Sequence, residues 1–197
     1  MPVIHINRQG SRYYLHTGPK KGGGLQHFFS RKPKGALADT IPEGYEIYEN
    51  VNAGVYLRRK KAQLIREEEV EEIRQGLLKL KGKKRYKTEA RAKHLTIHEG
   101  SAGLGSLDPH EPFGFLTEIF SGINPGKLSE ANERFATYQP VMRFVLVDGE
   151  KRIFAPERYC FKGSVEDWID IGPPDTLTKL ASKYLKHLGK DSFFELY

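Results

Sequence analysis

Alternating apolar and polar positions dominate the first sixty residues. Val3 to Asn7 and Arg12 to His16 read as strands joined by a turn at Gln9-Gly10. Leu25 to Ser30 returns as a third strand after the loop Gly18-Pro19-Lys20-Lys21-Gly22-Gly23-Gly24. One helical turn is expected over Gly35 to Thr40. Tyr45 to Glu49 alternates clearly and pairs, across the turn residues 50–54, with Val55 to Arg59. Two such hairpins make a small twisted sheet whose face still needs a partner to bury it.

At Glu67 the period changes. Val70, Ile73, Leu77, Leu78 and Leu80 recur near helical spacing, so a helix is predicted from Glu67 to about Lys81. Its five glutamates come first and its lysines last, the order that the helix macrodipole favours. Gly76 costs this helix about 1 kcal/mol relative to alanine, and Gly82 is a natural stop. Alternation resumes at Lys93 to Glu99, which places His94, Thr96 and His98 on one strand face and Leu95 and Ile97 on the other.

The remainder is mixed. Asp108 caps a predicted helix with Phe113, Leu116, Ile119 and Phe120 as its apolar set, and Ser129 to Phe135 forms a short second one. Val141 to Val147 is a strong strand, with Asp148-Gly149 as a two-residue turn into Lys151 to Ala155. Arg158 to Phe161 continues the sheet after Pro156. Ser164 to Asp167 caps a turn leading into Trp168, Ile169 and Ile171. Pro173-Pro174-Asp175 opens an amphipathic helix with Leu177, Leu180, Ala181, Tyr184 and Leu188 on one stripe, stopped by Gly189. Phe193, Phe194 and Leu196 dock back as a last strand or an apolar tail. The predicted class is α+β: a small N-terminal antiparallel β domain (1–62), a linker helix with a basic run (63–92), and a C-terminal mixed α+β domain (93–197) with an antiparallel hairpin and a terminal amphipathic helix.

Composition narrows the functional classes. Hydrophobic residues make up 38% of the 197 positions and aromatics 11%, enough for a folded core. No apolar run is long enough to span a membrane, so no membrane partner is expected. No secretory signal opens the sequence, and a cytoplasmic address follows as the default. The lone Cys160 rules out a disulfide within this chain and a cysteine-rich zinc site. No cofactor is expected: the glycine loop at 22–24 lacks the Gly-Lys-Ser/Thr ending of a P-loop, and no dinucleotide fingerprint or Gly-x-Ser-x-Gly elbow occurs.

Charge changes the picture most. The net charge is +7, and residues 1–100 hold 21 Lys/Arg against 11 Asp/Glu, whereas residues 101–197 hold 11 against 14. A basic half attracts polyanions through phosphate contacts and counterion release. The expected function is therefore nucleic-acid binding, to DNA or RNA. The candidate contacts are Arg12, Tyr14, Lys20, Lys21, Arg31, Lys32, Arg58, Arg59, Lys60, Lys61, Lys83, Lys84, Arg85 and Lys87. Tyr13, Phe28, Phe29, Tyr48 and Tyr56 interleave with these cations, a pattern suited to stacking on unpaired bases. A protein-interaction or scaffold module without catalysis is the alternative from a different class.

One further alternative is enzymatic. His94-Leu95-Thr96-Ile97 resembles one half of the His-x-Thr/Ser-x signature of the two-histidine phosphoesterases. That resemblance implies a paired acid and base acting on a phosphodiester. No other histidine in the chain has Ser or Thr two residues on, so the second half is missing and the pair cannot form. His94 and His98 lie roughly 13 Å apart at ~3.3 Å per strand residue, too far to share one metal. Asp108, His110 and Glu111 could instead fold against His98 and Glu99 into a two-histidine, carboxylate site for metal-assisted phosphodiester hydrolysis.

Overall fold

The structure is a computed structural model describing residues 1–80, 85–101, 136–162 and 165–196, with side chains described for all of these but 85, 162, 165 and 166. The chain divides into two units, Met1–Lys61 and Ala62–Tyr197.

The first unit is all β. Strands β1 (Ile4–Ile6), β2 (Arg12–Pro19) and β3 (Leu25–Ser30) form an antiparallel sheet in that order. Strands β4 (Tyr45–Glu49) and β5 (Val55–Arg59) form a separate hairpin. The core is small: Leu15, Ala53 and Val55 are buried. Polar side chains join the sheets. Asn7 is buried, its Nδ2 donates to the Ala53 carbonyl at 2.7 Å, and its Oδ1 accepts from the amides of Gln9 and Ser11 at 3.1 and 2.7 Å. The Glu49 carboxylate accepts from the Arg8 amide at 3.2 Å, and Arg8 donates to the Asn50 carbonyl at 2.8 Å. The helical turn expected over Gly35 to Thr40 is absent. That stretch is extended, with Thr17 N donating to the Ala36 carbonyl at 2.8 Å and Ala38 N donating to the Leu15 carbonyl at 2.9 Å. β2 outruns its three-residue neighbour β1, and backbone groups left without a sheet partner must find one.

The second unit is α+β. Its sheet has the antiparallel order β10-β9-β8-β7-β6, from β6 (Arg85–Arg91), β7 (His94–Gly100), β8 (Tyr138–Asp148), β9 (Ile153–Lys162) and β10 (Val165–Asp170). The two-residue β11 (Asp175–Thr176) also pairs with β9. Helix α1 (Glu67–Leu78) and helix α2 (Leu177–Tyr184) bury Val70, Ile73 and Leu77, and Leu177, Leu180, Ala181 and Tyr184, in one core with Leu95, Ile97, Met142, Phe144 and Phe154. The helix that follows the first unit along the chain is thus part of the second. The basic run at 85–91 is a strand rather than a linker: Tyr86 and Ala90 pack on the core, while Lys87, Glu89 and Arg91 fall on the other face. The dense charge of that run concealed its period of two.

Three local readings are corrected. β8 and β9 are joined by four residues rather than two, because Asp148 Oδ1 accepts from the amides of Glu150 and Lys151 at 3.0 and 2.9 Å, and Arg152 takes a left-handed φ of 55°. β9 runs unbroken through Pro156. The Pro156 carbonyl accepts from Ile171 N at 3.1 Å, in the gap between β10 and β11, so the missing N–H falls where no ladder bond is needed. Residues 165–170 form strand β10 rather than a capped turn. The helices predicted around Asp108 to Phe120 and Ser129 to Phe135 lie outside the described residues.

Candidate nucleic-acid interface

The boundary at Lys61 sharpens the charge argument. The first unit holds eleven Lys/Arg and four Asp/Glu, whereas residues 62–197 hold twenty-one of each, so the whole +7 belongs to the first 61 residues. Among the described residues, two of those eleven cations are paired with carboxylates: Arg8 with Glu49 at 3.3 Å and Arg58 with Glu46 at 2.8 Å. Arg31 and Arg59 donate to the hydroxyls of Tyr13 and Tyr45 at 3.3 and 3.2 Å. The side chains of Arg12, Lys20, Lys21, Lys32, Lys34, Lys60 and Lys61 are exposed, and none of them has an ion-pair partner among the described residues.

Strand register decides which aromatics accompany them. Ile4 pairs with Tyr14, Ile6 with Arg12, Tyr14 with Ser30 and His16 with Phe28, which puts these side chains on the face opposite Leu15 and Phe29. His16 stacks on Phe28 at 5.4 Å between ring centroids, and its Nε2 donates to the Lys32 carbonyl at 2.9 Å. Ile4, Ile6 and Phe28 remain 48%, 58% and 43% exposed. On the β4–β5 hairpin, the face opposite Val55 carries Glu46, Tyr48, Tyr56 and Arg58. The Arg58 guanidinium lies 4.0 Å over the Tyr48 ring, Tyr48 and Tyr56 are 6.3 Å apart, and the buried Arg58 Nη1 has no hydrogen-bond partner among the described residues.

The fourteen residues predicted from sequence therefore separate. Ten of them, from Arg12 to Lys61, lie in the first unit. Lys83 and Lys84 lie outside the described residues. Arg85 opens β6, and Lys87 sits on β6 with its Nζ 4.0 Å over the Tyr138 ring, both in the second unit.

The enzymatic candidates are spread. His94 and His98 share a face of β7, with Thr96 between them and Leu95 and Ile97 fully buried behind. Glu99 is on the opposite face, where its Oε2 accepts from Tyr86 Oη at 3.3 Å, so it does not join His98. Burial, and then the Glu99 charge, hold the Tyr86 hydroxyl above its ordinary pKa. Asp108, His110 and Glu111 lie outside the described residues. His98 is 7% exposed, and burial pushes its pKa down to about 4. Its Nε2 is 3.7 Å from Glu89, whose carboxyl burial pushes up. Both shifts favour the neutral forms, and the separation is too long for a hydrogen bond, so desolvation outweighs ion pairing here.

Sequence reasoning missed a polar row on this face, because its members come from five strands. Glu89, Thr96, Arg143, Glu157 and Asp170 stand in cross-strand register. Arg143 is ion-paired to Glu157 and lies 4.2 Å over the Trp168 ring. His94 is held below its usual pKa by burial and then by Arg143 and Lys93. Among the described residues no group of three His, Cys, Asp or Glu side chains is placed to hold a metal. No described helix is long and apolar enough to cross a membrane.

The fold and charge distribution define an α+β protein of two units, one strongly basic and one neutral. No known family model matches the chain, and comparisons with curated proteins and with solved structures find no similar protein.

Proposed function

We infer that this protein binds nucleic acid, contacting phosphates through the first unit and stacking unpaired bases on its exposed rings. One observation carries this reading: the entire net charge resides in 61 residues, where seven exposed cations have no carboxylate partner among the described residues. Unneutralised lysines and arginines in the same unit as the exposed rings of Phe28 and Tyr56 suit a ligand with repeating charge and flat bases. The same reading carries a cytoplasmic address, where such polyanions are abundant.

Electrophoretic shift of single- and double-stranded DNA and RNA across a salt series tests it. Seven phosphate contacts would give a slope of log affinity against log salt of about −6 on duplex DNA. Retention that ignores salt, or no complex with any of the four at 50 mM, removes the proposal. Exposed Ile4, Ile6 and Phe28 on one sheet face favour a protein partner as the second reading. A stable complex of the protein with another polypeptide, unaffected by 0.5 M salt, would support that reading instead.

A further inference from the structure

The tip of the β2–β3 ribbon combines features that the core of the first unit does not require. The ladder continues through Thr17 opposite His27 and Gly18 opposite Gln26 to Pro19 opposite Leu25. Beyond Thr17 and His27 nothing on this ribbon is buried, and Pro19 to Gln26 is exposed throughout. Leu25 is 72% exposed, although a leucine here adds nothing to the core formed by Leu15, Ala53 and Val55. The turn itself is firmly built. Lys20 N donates to the Gly24 carbonyl and Gly23 N to the Lys20 carbonyl, both at 2.9 Å, and Gln26 Nε2 donates to the Pro19 carbonyl at 3.2 Å.

Gly22, Gly23 and Gly24 have φ of 106°, 95° and 85°, a run that side chains would strain. Their surroundings are open, with nothing among the described residues within 4 Å of where each Cβ would be. The tip is therefore backbone alone for three residues, and backbone without side chains can approach another molecule closely. It presents two exposed ammonium groups, Lys20 and Lys21, next to an apolar pair, Pro19 and Leu25.

We propose that this tip is a wedge for duplex DNA: the glycine turn enters the minor groove, Lys20 and Lys21 contact the flanking phosphates, and Leu25, backed by Pro19, inserts at a base step. The minor groove of B-form DNA is about 6 Å wide, and a turn of three glycines suits that width. Apolar wedges inserted there partly unstack a base step and kink the duplex by roughly 20–90°. Steps such as TA yield most easily. This inference rests on the nucleic-acid reading of the first unit and adds a conformational change in the ligand that phosphate contacts alone would not produce.

The test uses the full chain and a 25-base-pair duplex with a central TA step and a fluorescent donor and acceptor at its ends. The wild-type protein should shorten the end-to-end distance on binding. Leu25→Ser should weaken the complex and, at protein concentrations that saturate the duplex, leave it as long as free DNA, and Leu25→Met should restore the shortening. Lys20→Ala with Lys21→Ala should reduce the salt slope by about 2. A straight duplex in the wild-type complex, or a Leu25→Ser complex as bent as wild type, overturns the wedge and leaves nucleic-acid binding standing. Failure of the wild type to bind any nucleic acid at 50 mM salt overturns the underlying reading and the wedge with it.

Discussion

Asn7 shows how much one polar side chain can organise in a unit with so few buried apolar residues. It is 3% exposed and satisfies a carbonyl in the β4–β5 turn and two amides in the β1–β2 turn. Asn7→Ala leaves these groups short of partners, at a cost of about 2 kcal/mol. Amide hydrogen exchange in β1, β2 and β5 should accelerate roughly 30-fold, since 1.36 kcal/mol is a factor of ten. Gly172 is fixed by a different constraint. Its φ is 154°, and a Cβ there would overlap Tyr184 Oη, which donates to the Ile171 carbonyl at 2.9 Å. Gly172→Ala should cost about 3 kcal/mol, and Tyr184→Phe should relieve part of that loss by removing the clashing oxygen. The fluorescence of Trp168, the single tryptophan, reports urea unfolding of the second unit in each variant.

His98 sets a pH dependence at the same scale. Its folded pKa of about 4 is below the ordinary value of 6.5, so the unfolded chain binds the proton more readily between those limits. Its contribution to stability is therefore full above pH 6.5, falls as pH drops through that window, and is gone by about pH 4. The shift corresponds to roughly 3 kcal/mol. Glu89 acts in the opposite sense, because its raised pKa means stability is lost as pH rises above 4.5. The difference in Tm between wild type and His98→Phe isolates the histidine: it should narrow steadily from pH 7 to pH 4. A difference that stays constant with pH would show that His98 does not titrate differently on folding.

At the scale of elements, the first turn of α1 is anchored by more than its dipole. Glu69 accepts from the Arg66 amide at 2.8 Å and from Arg152 Nε at 2.7 Å, and Arg152 also donates to the Leu64 carbonyl at 3.2 Å. The Glu69 and Arg152 side chains are 12% and 20% exposed, so screening by water is limited. Arg152→Ala should destabilise the second unit by about 2 kcal/mol, and a double-mutant cycle with Glu69→Gln should show coupling. The five glutamates read as one acidic block in the sequence; in the structure Glu69 clamps the β8–β9 turn, while Glu67 and Glu71 face Arg74 on the exposed side. Gly76 carries a similar lesson. Propensity favours alanine there, yet a Cβ would sit 2.5 Å from Leu185 Cδ1, so Gly76→Ala should not yield the gain that helix propensity promises.

The strands that alternate, β4, β5 and β7, were legible because half-buried antiparallel strands impose a period of two. β6 was not legible, since charged residues fill its outward positions and continue a basic run. The extended 36–38 segment was hidden because its order comes from the free edge of β2 rather than from its own residues. Of the candidate contacts, the sequence identified charge and ring content. Which rings face outward depended on register, as with Tyr14 and Phe28 opposite Leu15.

For the whole molecule, the decisive property is that charge and fold divide at the same place. Neutralising Arg12, Lys32, Lys60 and Lys61 together should reduce the salt slope of duplex binding by about 4, whereas changing Lys87, already over Tyr138, should leave it nearly unchanged. An equal loss from both changes would show that the second unit shares the contact. The sequence by itself determined the α+β class, the amphipathic faces of both helices apart from Leu78, which is 77% exposed, and the positive balance of the first sixty residues, because these follow from local periodicity and residue counts. Only the tertiary structure decided that the acidic-to-basic helix belongs to the neutral unit, that Glu99 and His98 face apart, and that seven cations go without carboxylates among the described residues. Those outcomes depend on which strands pair and in what register, and pairing joins residues that lie far apart along the chain.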